Sequence, residues 1–316
     1  MKNKWGRGGE RPVWLYYAAL LFVVAFWGVS SVMYPFFYQY YSAAVLTSIM
    51  TLFSALVFWI VARKKLSQLN GQFLKIALPI CCLNGFANVL NRIGLQYTTP
   101  ANYAFFEHVS CIVVPVMMYV FIRKKPTLLQ GGAGICCLIG CFILSGVSFS
   151  GEGAGLGIGD ALCIIAGVLI GICVAAIGAY MQKMDVTLFM ALYMTTYFFV
   201  SVLMSVSLHL ITTDGAPIEE AVITWDLPLL LLVIVFGLVD IALCWLLRTE
   251  AIRHTDPVTV ATVSPFSAVI TGVVSVMAGI DRLTPNLVIG GTIIFISAAL
   301  PDVIGAVKGL RKEPGA

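Results

Sequence analysis

Apolar segments about 20 residues long recur along the whole chain, and only short polar breaks separate them. The hydrocarbon core of a bilayer is about 30 Å thick, which a helix of about 20 apolar residues can cross. The predicted spans are residues 13–34, 42–62, 73–95, 100–121, 129–148, 158–181, 187–208, 227–247, 257–279 and 286–307. Hydrophobic residues make up 60% of the chain and charged residues only 11%, too few charges to cover the surface of a soluble domain. The sequence therefore predicts an all-α membrane protein of ten transmembrane helices.

The basic residues indicate how these spans are oriented. The N-terminus, alternate breaks and the C-terminus hold 17 of the 19 lysines and arginines. These clusters are residues 2–11, 63–65 with Lys75, 123–125, 183, 248–253 and 308–312. The opposite breaks carry the acids Glu152, Asp214, Glu219, Glu220 and Asp226. By the positive-inside rule both termini are cytoplasmic, which an even number of spans satisfies. We expect a multi-pass protein of the plasma membrane or bacterial inner membrane.

The two halves of the chain resemble each other. Residues 94–100 align with residues 251–257, and the same offset pairs Thr127 with Thr284 and Gly134 with Gly291. We therefore predict one five-helix repeat in residues 1–150 and a second in residues 151–316. Five spans is an odd number, so the second repeat would enter the membrane inverted. Inverted repeats are typical of alternating-access carriers, whose solute site lies at the repeat interface.

Several short motifs occur in an order that resembles a known family. They are Phe26-Trp27-Gly28, residues 94–98, Gly159-Asp160, Ser264-Pro265 and residues 281–284. Together they resemble the drug/metabolite transporter superfamily, specifically its ten-span EamA-type members. The resemblance implies a carrier, in a family that moves amino acids, sugars, nucleotide sugars, vitamins and cationic compounds. The chain departs from the family pattern at Lys124, where an acid is usual, and at Glu107-His108, where His108 matches Pro265 of the second half.

Glu107 is an acid inside the fourth predicted span. A charge near the bilayer centre costs about 2.5–3.5 kcal/mol on insertion scales, so the side chain should face the bundle interior. Tyr103, Glu107 and Ser110 are spaced to share one helical face, and His108 is turned about 100° from it. Glu107 could bind a cationic solute, or exchange a proton that His108 shares. The alternative is a structural pair with His108 or Arg92. His108 itself either shares the proton of Glu107 or packs between helices.

The third span carries a stripe of amides. Asn84, Asn88 and Asn91 share one face, which cannot lie against lipid without leaving donors unsatisfied. The stripe lines a solute path or joins helices by hydrogen bonds worth about 0.6 kcal/mol each. Arg92 follows it, and the sequence leaves open whether this side chain reaches the interface, binds a solute carboxylate or pairs with Glu107.

The eighth span contains the second intramembrane acid, Asp240, which either lines the path or makes a structural hydrogen bond. Arg248, further along, is expected to be an anchor at the cytoplasmic end. Trp27 and Trp245 are expected to border the cavity, where they either stack on a solute or simply pack.

No metal, cofactor or nucleic-acid partner is predicted. The nine cysteines form no CxxC pair, and the three histidines show no metal-ligand spacing. HExxH and GxSxG motifs are also missing from the sequence. The leading hypothesis is a secondary carrier, an exporter or a proton-coupled carrier, of a small metabolite such as an amino acid or amine. Its partners would be this solute, protons and the lipid bilayer, with the choice between monomer and homodimer left open. The alternatives are a membrane enzyme using Glu107, His108 and Asp240, or a receptor or assembly subunit.

Overall fold

The structure is a computed structural model that describes residues 12–123, 125, 127–145, 157–213, 216–217, 222–280 and 282–310. Part of the predicted charge pattern lies outside these residues. It comprises residues 2–11, Lys124, residues 311–312, Glu152, Asp214, Glu219 and Glu220. The predicted boundary between the halves, at residues 150 and 151, also lies outside them.

The described chain is almost entirely helical. The first half contains α1 (Val13–Phe37), α2 (Ala43–Ala62), α3 (Gly71–Gln96), α4 (Pro100–Glu107), α5 (Ser110–Ile122) and α6 (Leu128–Ser145). The second half contains α7 (Ile158–Tyr180), α8 (Val186–Leu210), α9 (Leu227–Gly237), α10 (Cys244–His254), α11 (Pro257–Val263), α12 (Phe266–Met277) and α13 (Pro285–Leu310). Short 3₁₀ turns, Arg63–Gln68 and Met181–Lys183, follow α2 and α7. A two-residue hairpin pairs β1 (Thr212–Thr213) with β2 (Ala216–Pro217), antiparallel, in the break after α8.

Eight helices of the described chain are long and apolar enough to cross a membrane. They are Trp14–Phe37, Ala43–Gln68, Gly71–Gln96, Asn102–Ile122, Ile158–Tyr180, Val186–Leu210, Leu227–His254 and Pro257–Met277. The other two predicted spans correspond to α6 and α13. Their described apolar stretches, Gly131–Leu144 and Pro285–Ala298, are shorter helices. The all-helical membrane architecture is thus confirmed, with eight spans by this measure.

Three of the predicted spans are not uniform α-helices, in contrast to the sequence prediction. The fourth breaks between α4 and α5, and the ninth breaks between α11 and α12. The eighth contains a wider π-helical turn, Leu238–Leu243, between α9 and α10. Because α4 ends at Glu107, the prediction that Tyr103, Glu107 and Ser110 share one continuous helical face is wrong beyond Glu107.

Proline explains the break in the ninth span. Pro265 has no backbone N–H, so the carbonyl of Ala261 one turn earlier loses its helical partner. The thiol of Cys111 donates to this carbonyl, with a Sγ to O distance of 2.9 Å. The fourth span breaks at His108 without a proline, and shorter bonds replace the α-helical ones there, such as that from Cys111 N–H to the His108 carbonyl (2.9 Å).

The helices pack in close pairs. α2 packs against α8, α6 against α13, α3 against α7 and α8, and α1 against α10 and α12. One close approach joins α6 to α13, where a Cβ on Gly140 would lie 3.0 Å from the carbonyl oxygen of Gly290. Small residues that let helix backbones approach are typical of membrane bundles. Large apolar side chains such as Ile60, Leu203 and Val235 remain exposed on the outer surface, as a lipid-facing surface requires.

One ion pair ties the break after α2 to the start of α8. The Lys65 ammonium lies 2.7 Å from a carboxylate oxygen of Asp185, and Asp185 also caps α8 by accepting a hydrogen bond from the Leu188 N–H at 3.1 Å. Partial burial acts to raise the pKa of Asp185, but the bonds from Lys65 and Leu188 outweigh it and lower this pKa below its usual value. The charged carboxylate therefore stabilises the folded protein.

We predict that Asp185→Asn lowers stability at neutral pH by about 0.5–1 kcal/mol, because it keeps a capping oxygen but removes the charge. A carboxyl with a lowered folded pKa contributes fully above its unfolded pKa of about 3.9 and loses that contribution as pH falls through the folded pKa. Thermal unfolding in detergent between about pH 3 and 7 should show that the difference in stability between Asp185→Asn and wild type disappears toward acid pH. Lys65→Met is the control and should reproduce this pH dependence. A difference in stability that does not change with pH would contradict a stabilising role for the charge of Asp185.

Candidate functional site

A polar cavity lies among α1, α3, α4, α10 and α12. Its enclosed volume is about 20 Å³, slightly more than one water molecule needs. The lining residues are Trp27, Ser30, Ser31, Asn88, Arg92, Tyr103, Ala104, Glu107, Trp245 and Ser267. A charged and hydroxylated cavity inside an otherwise apolar bundle is the principal candidate for a binding site.

The strongest electrostatic contact at this cavity joins Arg92 of α3 to Asp240. An Arg92 Nη lies 3.0 Å from Asp240 Oδ2, and the hydroxyl of Tyr34 on α1 donates to the same oxygen at 2.6 Å. The Arg92 guanidinium also lies 3.8 Å from the centroid of the Tyr34 ring. The structure thus selects Asp240 as the partner of Arg92, in place of the predicted pair with Glu107. Asp240 is completely buried, so its charge depends on these two residues.

The wide turn in the eighth span presents Asp240 to its partners. Asp240 lies within the π-helical segment Leu238–Leu243, and such segments occur frequently at functional sites. The backbone carbonyl of Asp240 accepts a hydrogen bond from the indole N–H of Trp27, with an N to O distance of 3.2 Å. Trp27 therefore satisfies a backbone oxygen of this turn while it lines the cavity.

Glu107 ends α4 and is only partly buried, so its carboxylate faces the cavity. Tyr103 and Asn91 provide hydrogen bonds to it, and the positive charges of Arg92 and Arg248 act on it from a distance. No ion pair to this carboxylate is found within the described part of the chain. The acid that the sequence singles out is therefore the one acid of the cavity wall that is available to a solute.

His108 follows Glu107 but points elsewhere. It is buried at the break between α4 and α5, and its Nε2 lies 3.1 Å from the hydroxyl oxygen of Ser267 on α12. This contact joins the two broken spans to each other. This contact corresponds to helix packing, one of the two roles that the sequence leaves open for His108.

The amide stripe of α3 both lines the cavity and makes side-chain hydrogen bonds. Asn88 lines the cavity, and its Nδ2 donates to the Asn84 carbonyl at 2.8 Å and to the Tyr193 hydroxyl at 3.3 Å. Asn91 Nδ2 donates to the Tyr103 hydroxyl at 3.1 Å. Asn84 and Asn91 therefore lie behind the wall and hold Asn88 and Tyr103 in place.

Arg248 corrects a prediction. The sequence suggests an anchor at the cytoplasmic interface, but this side chain is only 4% exposed. Its guanidinium lies 5.2 Å from the ring centroid of Trp27 and 5.1 Å from that of Trp245. The two indoles are 5.6 Å apart between centroids, so they form one aromatic surface against the cation. Trp27 and Trp245 hence make cation–π contacts, with a protein arginine.

The ten predicted site residues form one connected cluster. Trp27, Asn88, Arg92, Tyr103, Glu107 and Trp245 line the cavity, while Asn84, Asn91, His108 and Asp240 bond to those residues or to Ser267. The sequence reasoning missed Ser30, Ser31, Ser267 and Tyr34. Hydroxyl residues cost little free energy inside a membrane helix, because they bond to their own backbone, as Ser31 does to the Trp27 carbonyl (2.8 Å). The sequence therefore gives no energetic reason to single them out.

Comparisons with known proteins agree with this picture. Residues 14–146 match the model of the EamA-like transporter family. This match confirms the predicted resemblance to EamA-type proteins over that part of the chain. One solved crystal structure aligns with 91% of this chain and 97% of its own, with a TM-score of 0.67 and 12% sequence identity. At this identity it shows a shared fold alone. A search of curated proteins finds no match. Over residues 14–146 the chain is therefore similar to a family of membrane transporters.

We predict that the Arg92–Asp240 pair behaves as one unit in stability. Arg92→Met leaves a buried carboxylate unpaired, and loss of one partner of a buried pair costs about 3–5 kcal/mol. The double variant Arg92→Met with Asp240→Leu removes both charges and should recover most of that loss. Thermal unfolding of the two single variants and the double variant in detergent measures the coupling. Additive losses would show that the two side chains do not depend on each other.

Proposed function

We propose that this protein is a secondary carrier that moves a small metabolite, such as an amino acid or amine, across the plasma membrane by alternating access. The observation that carries the proposal is the polar cavity with the unpaired carboxylate of Glu107 in its wall. A charge inside the membrane costs free energy. In a carrier, a bound solute or a bound proton compensates that charge at successive stages of transport.

The proposal includes ten spans in two inverted halves, residues 1–150 and 151–316. Matching local geometry in the two halves supports it. Pro100 and Pro257 both stand at the start of a broken span, and side-chain oxygens of Thr99 and Asp256 cap these helices. The breaks follow at Glu107 and Val263, close to the same offset of 157 residues that relates the two prolines.

Helix packing has the same symmetry. α2 packs on α8 and α6 on α13, which pairs the second span with the seventh and the fifth with the tenth. The contact of α3 with α7 is matched by that of α10 with α1, and the contact of α5 with α7 by that of α12 with α1. A two-fold axis in the membrane plane would generate this pattern from two inverted repeats.

The cavity favours the side of the membrane opposite the basic breaks. Arg92 lies near the end of α3, and Tyr103 lies in the first turn of α4. Both positions adjoin the short α3–α4 connection, at the end of the bundle without basic clusters. With cytoplasmic termini this end would be the outer face, which supports a carrier whose cavity lies nearer the outside in this conformation. Glu107 is then the acid that binds a cationic group or couples a proton.

Topology is tested by cysteine labelling in intact cells. Ser67 lies in the break after α2, and Leu283 lies in the break before α13, both exposed. We predict that Leu283→Cys reacts with an impermeant thiol reagent in intact cells, whereas Ser67→Cys reacts only after the membrane is opened. Unmodified protein gives the background from native cysteines. The reverse pattern would place the termini outside and contradict the assigned orientation.

Transport is tested in proteoliposomes. We predict saturable uptake of at least one solute from a labelled panel of amino acids, amines, sugars and nucleosides. The same solute should raise the melting temperature by mass action. Glu107→Gln should reduce uptake at least about tenfold, since a charged hydrogen bond is worth about 1.5–3 kcal/mol.

Glu250→Gln is the matched control, because Glu250 lies on α10, pairs with His254 and is outside the cavity lining. It should leave uptake unchanged. If both variants transport like wild type, Glu107 is not the functional acid, but the proposal of a carrier still stands. If no solute of the panel is transported, the carrier proposal fails.

A further inference from the structure

The carboxylate of Asp240 is satisfied at only one of its two oxygens. Its Oδ2 accepts hydrogen bonds from an Arg92 Nη at 3.0 Å and from the Tyr34 hydroxyl at 2.6 Å. Its Oδ1 is buried and has no hydrogen-bond partner within the described part of the chain. An ionised carboxylate accepts at both oxygens, and a buried oxygen without a donor costs free energy. This oxygen therefore indicates a ligand that binds Asp240 at another stage of the cycle, and a proton needs no additional space.

The charge of Asp240 depends on a single cation. The titratable groups whose charges interact with it come from α3, α1, α8 and α10, and they are Arg92, Tyr34, Tyr197 and Cys244. α2 and α9 also pack against this turn, and neither helix contains a titratable side chain. Arg92 is the one group of this set that is positively charged at neutral pH, so Asp240 can remain an anion only while Arg92 stays beside it.

Arg92 has a second acid near it. Arg92 and Glu107 both line the central cavity, whereas Asp240 is not part of the lining. The enclosed space between the cavity walls admits about one water molecule. The positive charge of Arg92 already acts on Glu107, to which Tyr103 and Asn91 provide hydrogen bonds. A guanidinium on a flexible stem with five donors can therefore exchange one carboxylate for the other.

We propose that Asp240 is the proton-binding acid of the carrier, and that a proton on its Oδ1 releases Arg92, which then pairs with Glu107. This inference rests on the proposed carrier function and identifies its coupling site. The proton comes from a hydronium ion and converts the carboxylate into a neutral carboxylic acid, to which Tyr34 can still donate. A neutral acid no longer compensates the guanidinium, and Glu107 is the remaining acid of the cavity lining.

The exchange of partners couples the proton to the solute. While Arg92 is paired with Asp240, the carboxylate of Glu107 is available to a cationic group of the solute. Once a proton has moved Arg92 to Glu107, the same carboxylate is occupied. A proton and a solute cation therefore displace each other, as exchange of a solute against protons requires.

Infrared spectroscopy detects the bound proton directly, because a protonated carboxyl has a carbonyl stretch that a carboxylate lacks. The wild-type protein is titrated from alkaline to acidic pH, with and without ¹³C in its aspartate carboxyls. We expect an acid band that shifts with this label and is missing from Asp240→Asn. Asp240→Glu should keep a band that the label does not shift, and Glu250→Gln, outside the cavity lining, should match wild type. The absence of any band that depends on Asp240 would overturn the proposal.

Thermal unfolding in detergent tests the movement of Arg92. Asp240→Asn imitates the protonated acid, so in that background Arg92 should pair with Glu107. We expect Glu107→Gln to change the melting temperature of wild type little and to lower that of Asp240→Asn by at least about 2–4 °C. Glu250→Gln is the control and should have the same effect in both backgrounds. Equal effects of Glu107→Gln in the two backgrounds would overturn the exchange of partners.

Neither measurement depends on transport, so the two proposals can fail separately. If no solute is taken up by proteoliposomes while the Asp240 band is present, the carrier is excluded and the proton site stands. If uptake is observed and no band depends on Asp240, the carrier stands and Asp240 is a purely structural partner of Arg92.

Discussion

The carboxylate of Asp240 is completely buried at a depth where water cannot solvate it, and much of the site follows from how its charge is satisfied. Arg92 from α3 and Tyr34 from α1 converge on one of its oxygens, so a single charge ties three spans together. The same contact holds the Arg92 guanidinium at the cavity wall and neutralises it there. Glu107 is consequently left as the acid of the cavity lining without an ion pair in the described part of the chain.

The cost of polar groups in lipid explains why so much of this site could be predicted from sequence. A carboxylate or a stripe of amides within an apolar segment must turn inward, and that argument alone identifies Glu107, Asp240 and Asn88. It also brings their neighbours into one cluster, because a membrane bundle has a single interior. The choice of partner could not be predicted, since Arg92 has two acids within the same bundle and only the folded structure shows that its guanidinium reaches Asp240.

Other features have no signal in a single sequence. The break at His108 occurs without a proline, and the wide turn at Asp240 occurs in a segment that contains neither glycine nor proline. Arg248 was misjudged because its sequence position, near a basic cluster, is typical of an interfacial anchor. Its burial depends on Trp27, 221 residues earlier in the chain. Tyr34 was missed for a related reason. An aromatic residue in an apolar span is expected to pack against other helices, and the sequence does not show that its hydroxyl bonds to a distant acid.

Alternating access is the central claim, and the cavity wall offers a direct test. Ala104→Cys puts a small thiol on that wall, and its reaction with an impermeant reagent can be followed in right-side-out and inside-out vesicles. The account predicts labelling from both sides, because the same cavity opens to each in turn, and slower labelling when solute occupies it. Ser67→Cys and Leu283→Cys should each react from one side only. Labelling of Ala104→Cys from a single side, whatever the solute, would show a fixed pocket and contradict a carrier.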